Sequence, residues 1–144
     1  MISTDLALLL RTAGLRWEPA SGDAFVVLVD GLDEEVFTIS EMTIEAHRYD
    51  TGTVLGFNGT TEWALDSVAQ DDALWLPRED QLRSKLGRTF RSLARSTDGT
   101  YQVLVEVAGR PEQVFTADTA EDAYAQALLS LVTAAVDGGA RAHH

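Results

Sequence analysis

A chain of 144 residues with 45% hydrophobic side chains is long and apolar enough for one globular domain, burying about 68–70% of its unfolded surface. Its net charge of −12 argues against a general nucleic-acid binder, because Lys and Arg must neutralise the phosphates there, and the lack of cysteine excludes disulfides, thiolate metal sites and a cysteine nucleophile. No apolar run is long enough to span a membrane and the first residues lack a basic signal-peptide start, so the expected location is the cytoplasm.

Ser3 to Thr12 is predicted as a short helix. Ser3 or Thr4 serves as the cap, Asp5 suits the positive end, and Gly14 supplies a left-handed stop. Leu6, Leu9 and Leu10 form its expected buried face. After a turn over Pro19 to Asp23, four segments read as strands: Ala24 to Val29, Val36 to Ile39, Thr43 to Tyr49 and Val54 to Phe57. The last two are joined by the hairpin signal Asp50-Thr51-Gly52, and together the four suggest an antiparallel sheet. Thr60 or Thr61 is then placed to cap a short helix over Glu62 to Val68.

Leu74-Trp75-Leu76 is a short apolar segment, and Pro77 opens a predicted amphipathic helix extending to Arg95. At helical spacing Leu82, Leu86, Phe90 and Leu93 share one sector, while Lys85, Arg88, Arg91 and Arg95 share the opposite one. Gly87 falls in its middle, costs about 1 kcal/mol relative to Ala, and is read as a kink, a tight packing point or a split into two helices. Tyr101 to Val107 and Gln113 to Ala117 form the next strand pair around the turn Ala108 to Pro111. Asp118-Thr119-Ala120-Glu121 resembles a capping box with Asp in the cap position. The closing helix is predicted to about Val136, with Tyr124, Leu128, Leu131, Val132 and Ala135 on one face and Gly138-Gly139 as its end. The expected architecture is α+β: an antiparallel sheet with helices packed on one face and a C-terminal ββα unit. Residues 1–139 are read as a single domain with one candidate seam at 96–99, followed by a flexible tail over 140–144.

Charge singles out one region. Six of the eleven basic side chains lie in residues 78–95 against Glu79 and Asp80, leaving that stretch at +4 and the remainder at −16. Arg83, Lys85, Arg88, Arg91 and Arg95 are therefore candidate partner-binding residues, for an acidic protein surface or a small anion; the competing reading is an ordinary solvated helix face. A second candidate is the loop Asn58, Gly59, Thr60, Thr61 and Trp63. Glycine and hydroxyls ahead of a helix N-terminus present the N–H groups that bind anions, although a capped strand-to-helix turn uses the same residues and no phosphate-loop lysine follows. Trp17, Trp63 and Trp75 are read first as core residues. Glu45, His47 and Asp50 lie close together without enough ligands for a metal, and no catalytic constellation can be assembled.

The words Gly56-Phe57-Asn58-Gly59-Thr60-Thr61-Glu62-Trp63-Ala64-Leu65-Asp66 and Ala73-Leu74-Trp75-Leu76-Pro77-Arg78-Glu79-Asp80-Gln81-Leu82 resemble a group of short actinobacterial proteins. The opening Leu6 to Trp17 and the closing Thr116 to Tyr124 fit the same group, so the resemblance covers most of the chain. Some members carry the label of pilus assembly protein of the Cpa type, which implies a MinD-like ATPase. This chain has no Walker A loop, and that activity does not carry over. More distantly the layout is similar to small phage and prophage proteins, and its last strand and helix to the end of HicB-type antitoxin domains. None of these supplies catalytic residues. The expected function is a non-catalytic binding or regulatory module that recognises a protein and needs no cofactor. A nucleotide-type ligand binder, or a hydrolase using carboxylates such as Glu45 or Glu62, are the alternatives.

Overall fold

The computed structural model describes residues 1–29, 31, 34–39, 43–49, 52–58, 67–69 and 72–142. Its elements are α1 (Thr4–Thr12), β1 (Ala24–Val27), β2 (Val36–Thr38), β3 (Thr43–Tyr49), β4 (Gly52–Asn58), β5 (Ser67–Ala69), β6 (Ala73–Leu76), α2 (Glu79–Leu86), β7 (Phe90–Arg95), β8 (Tyr101–Val105), β9 (Gln113–Ala117) and α3 (Ala120–Ala142), with a 3-10 turn over Gly87–Thr89. Among the described residues the strands form three antiparallel sheets, ordered β2-β1-β6, β3-β4-β5 and β7-β8-β9. The chain is α+β, as expected, and closes in a strand–strand–helix unit. It divides into two compact units, one of residues 1–16 with 77–144 and the other of residues 17–76. The candidate seam at 96–99 is the turn between β7 and β8, inside the first unit. No helix among the described residues is long and apolar enough to cross a membrane.

In the 17–76 unit, β1 is the central strand of its sheet. Phe25 registers with Phe37 of β2 on one side and with Trp75 of β6 on the other. The rings of Trp17 and Phe25 lie 5.6 Å apart, as do those of Phe25 and Phe37, and Trp17 stacks on Trp75 at 6.5 Å. Phe25, Val27, Ile39 and Ala73 are buried in this cluster; on the alternate positions Val26, Leu74 and Leu76 are buried as well. Burial on both faces explains why β1 and β6 read as continuous apolar runs instead of alternating. The preceding turn is fixed by Asp23, a buried carboxylate that accepts from Trp17 Nε1 at 2.9 Å and from the Ala20 N–H at 3.0 Å. Its own carbonyl accepts from the Ile39 N–H at 2.9 Å. The four predicted strands do not share one sheet: β1 and β2 pair with β6, and β3 and β4 pair with β5. Ser67 and Val68, predicted to end a helix, lie in β5, opposite Gly56 and Leu55. The remainder of that helix lies outside the described residues.

In the other unit, α1 starts where expected: the Ser3 hydroxyl accepts from the Leu6 N–H at 3.3 Å. At its end the Gly14 N–H reaches the Arg11 carbonyl and the Leu15 N–H the Leu10 carbonyl, a Schellman pair that requires the positive φ of Gly14, 112°. The buried stripe is Ala7 and Leu10, with Leu6 half-buried; Leu9, expected inside, is 51% exposed. Thr119, and not Asp118, caps α3, its hydroxyl accepting from the Asp122 N–H at 3.2 Å. The Asp122 carboxylate in turn accepts from the Ser3 N–H at 2.7 Å, tying the first turn of α3 to the cap of α1. The helix continues through Gly138-Gly139 to Ala142, because two glycines weaken a helix without supplying a stop unless one adopts a left-handed conformation. Tyr124 and Leu128 are buried as predicted, Leu131 and Val132 are half-buried, and Ala135 is exposed.

The largest departure from the sequence reading is the basic helix. It stops at Leu86. Pro77 lies two residues before the first helical residue, Arg78 is the cap, and the Gln81 side chain reaches back to the Arg78 N–H at 2.8 Å. Gly87 then takes φ 56° and ψ −128°, a conformation that side-chain-bearing residues rarely adopt, and the Thr89 hydroxyl donates to the Leu86 carbonyl at 2.7 Å. From Phe90 the chain is a strand paired with β8. Phe90 and Leu93 nevertheless both lie half-buried, because the register skips Arg91. Phe90 pairs with Val105 and Leu93 with Val103, so the bulge brings residues three apart onto one face. That spacing imitates a helix.

Two substitutions test this account. Gly87→Ala is expected to destabilise the protein by about 1–3 kcal/mol in urea unfolding, since the new Cβ meets no atom within 4 Å and the cost is purely conformational. A glycine inside a continuous helix would instead gain about 1 kcal/mol on the same change. Asp23→Ala is expected to cost about 1–3 kcal/mol by leaving the Trp17 and Ala20 donors unpaired, with Asp23→Asn recovering part of it; Trp17 fluorescence during denaturation reads both.

Candidate functional site

The division into two units changes the meaning of the charge. Residues 17–76 hold thirteen acidic side chains and one basic one, Arg48, and so carry the whole −12. The unit of residues 1–16 and 77–144 has ten of each sign and is neutral. Its cations are therefore not a local offset within a uniformly acidic body, and their local arrangement determines the field they make.

The five candidate cations stand on three kinds of backbone: Arg83 and Lys85 on α2, Arg88 in the 3-10 turn, Arg91 and Arg95 on β7. The Arg83 guanidinium lies over the Phe90 ring, 4.5 Å from its centroid. Arg91 sits at the bulge, donates to the Arg88 carbonyl at 2.6 Å and pairs with Glu106 at 3.4 Å. Arg95 lies over Tyr101 at 5.8 Å, five residues and so about 17 Å along the strand from Phe90. Among the described residues, Lys85 and Arg88 are exposed and carry no ion pair. The turn thus brings Arg83, Arg88 and Arg91 towards one corner, with Lys85 about 200° around α2 from Arg83 and Arg95 at the far end of β7. An exposed pair such as Arg91–Glu106 contributes about 0–1 kcal/mol and exchanges readily for another anion.

Beside this corner an open groove of about 640 Å³ is lined by Glu79, Asp80, Arg83, Ser84, Gly87, Phe90 and Tyr124. Phe90 and Tyr124 meet at 5.6 Å between ring centroids and form its apolar wall. Burial raises the Tyr124 hydroxyl above its ordinary value of 10.0; the Glu79 carboxylate pushes it the same way, and Arg83 acts against both. Phe90 and Tyr124 were legible in the sequence only as core residues. Their second role arises because Gly87 ends α2 and turns the chain, so that half-buried Phe90 lines the groove with buried Tyr124 packed behind it.

The other candidates are not brought together. Asn58 ends β4, and Gly59, Thr60, Thr61 and Trp63 lie outside the described residues. Glu45 and His47 stand two apart on β3, registered with Gly56 and Val54, and Asp50 lies outside the described residues. Among the described residues, no three His, Cys, Asp or Glu side chains are grouped to hold a metal. Comparison with known proteins gives no significant match to a family model, a curated protein or a solved structure.

The groove makes a titration prediction. Phenolate absorbance should place Tyr124 above the ordinary tyrosine value; Glu79→Gln should lower its midpoint and Arg83→Gln raise it. Since the folded-state value is raised, the linked stability is complete below about pH 10 and is lost as pH rises through the folded-state value.

Proposed function

We propose that the protein is a non-catalytic cytoplasmic binding module that recognises an acidic segment of a partner protein through Arg83, Lys85, Arg88 and Arg91, with Arg95 as an outlying contact. One observation carries this reading: Lys85 and Arg88 stand exposed and without an ion pair among the described residues, on a corner whose neighbours are already fixed in place. Arg83 on the Phe90 ring and Arg91 on the Arg88 carbonyl are held before any partner arrives, which reduces the side-chain entropy lost on binding. Phe90, half-buried and backed by Tyr124, offers an apolar contact beside a polar rim, the usual layout of a protein interface. The net charge of −12 favours a short acidic segment over extended nucleic acid.

Titration with a peptide rich in Asp and Glu, followed by backbone amide shifts, tests the proposal. The expected perturbations fall on Ser84 to Phe90 and on Arg91, and affinity decreases steeply with salt. The double change Lys85→Glu with Arg88→Glu should weaken binding at least tenfold, about 1.4 kcal/mol, while Arg16→Glu leaves it unchanged. Equal affinity for the double variant would show that the corner is not the docking surface.

A further inference from the structure

A second recess in the same unit lies where α3 crosses the end of β8 and the loop leading to β9, and it meets the cationic turn only at Leu86 and Thr89. Ala127, Ser130 and Ala134 are small residues one turn apart on α3, and their short side chains leave a cleft of about 190 Å³ above Val105 and Val107. Leu86, Leu131 and Pro111 complete its apolar wall. An apolar cavity of about 150 Å³ is enough to hold benzene, so this volume suits a six-membered ring or a short branched chain.

The polar groups of the cleft are few and uneven. The Thr89 hydroxyl is already spent on the Leu86 carbonyl. Ser130 and Gln113 are neutral, and no carboxylate among the described residues lines the space. Among the described residues, the one charged group is Arg110. A turn places it there: the Arg110 N–H donates to the Val107 carbonyl at 3.0 Å, and Gly109, at φ 81°, takes the position that needs a positive φ. Arg110 is exposed and has no ion pair among the described residues. An apolar recess with a single uncommitted guanidinium in its wall matches one ligand chemistry, an apolar body ending in a carboxylate that the fork of Arg can accept bidentately.

We infer that this cleft binds a small monocarboxylate, aromatic or short and branched, with its apolar body between α3 and β8 and its carboxylate on Arg110. The inference does not rest on the acidic-segment reading, although Leu86 and Thr89 of the turn border both sites.

Benzoate and 3-methylbutanoate serve as probes on the full chain, with benzyl alcohol and 3-methylbutanol as uncharged counterparts, read by calorimetry and amide shifts. The acids are expected to bind at about 1 mM or tighter, as their size allows, and to shift Ala127, Ser130, Ala134 and Arg110. The alcohols and the Arg110→Gln variant should each bind at least tenfold more weakly. Ala134→Leu, which fills the recess, should abolish binding while far-ultraviolet circular dichroism stays unchanged. The double variant Lys85→Glu with Arg88→Glu should bind the acids as the parent does, which separates this site from the docking corner. The inference is overturned if neither acid binds in the millimolar range, if Arg110→Gln binds equally well, or if the shifted amides lie outside the cleft.

Discussion

The neutral unit depends on one packing constraint, the inner face of α3. That helix packs against α1, α2, β8 and β9, and Ala123, Tyr124, Ala125, Ala127 and Leu128 are buried along its first half. Alanines let the backbones approach closely while Tyr124 and Leu128 fill the remaining space, the interdigitation of small and large residues that a dense core requires. Full burial of Leu10, Leu82, Leu86, Val103 and Leu128 contributes roughly 1.5–3 kcal/mol for each side chain relative to exposure. The Asp122 carboxylate fixes the start of this arrangement by holding the Ser3 N–H, so two helix caps are joined in one hydrogen-bonded link. A shift of α3 along its axis would break that link and unseat the buried face together.

Both proposed surfaces follow from the same helix. Tyr124, near its start, contributes an aromatic wall to the groove beside the cations. Ala127, Ser130 and Ala134, roughly one to three turns later, are too small to fill the space over β8 and leave the cleft. Ten residues separate Tyr124 from Ala134, about 15 Å along a helix, so the cleft extends away from the groove while both share a rigid support. A binding feature carried on a packed helix keeps its geometry better than one carried on a loop alone.

The electrostatics also take their meaning from the fold. Counted along the chain, residues 78–95 stand out against an acidic remainder. Counted by compact unit, the acid belongs wholly to residues 17–76 and the cations to a neutral body. Arg83, Arg91 and Arg95 are each engaged by a ring, a carbonyl or a carboxylate, which distinguishes them from Lys85 and Arg88. No count of charges could make that distinction, because Tyr101, Glu106 and the Arg88 carbonyl reach the arginines only through strand pairing and the turn.

Local signals were sufficient wherever a residue acts on its own neighbours. The Ser3 cap, the Gly14 stop, the limits of β3 and β9 and the strand–strand–helix ending were all legible, since capping groups and alternating strand residues need no distant partner. The same sequence could not reveal that Leu82, Leu86, Phe90 and Leu93, which match a helical stripe, are half helix and half bulged strand. Apolar spacing reports which side chains are buried, and here it did so correctly for an element of the wrong kind. Only pairing with Val105 and Val103, together with the positive φ of Gly87, turns the chain from helix into strand. Composition and periodicity thus determined the fold class and most of the interior of this unit. The corner that exposes Lys85 and Arg88, the groove under Tyr124 and the cleft beside Arg110 were decided by contacts between residues far apart in the chain, which one-dimensional spacing does not encode.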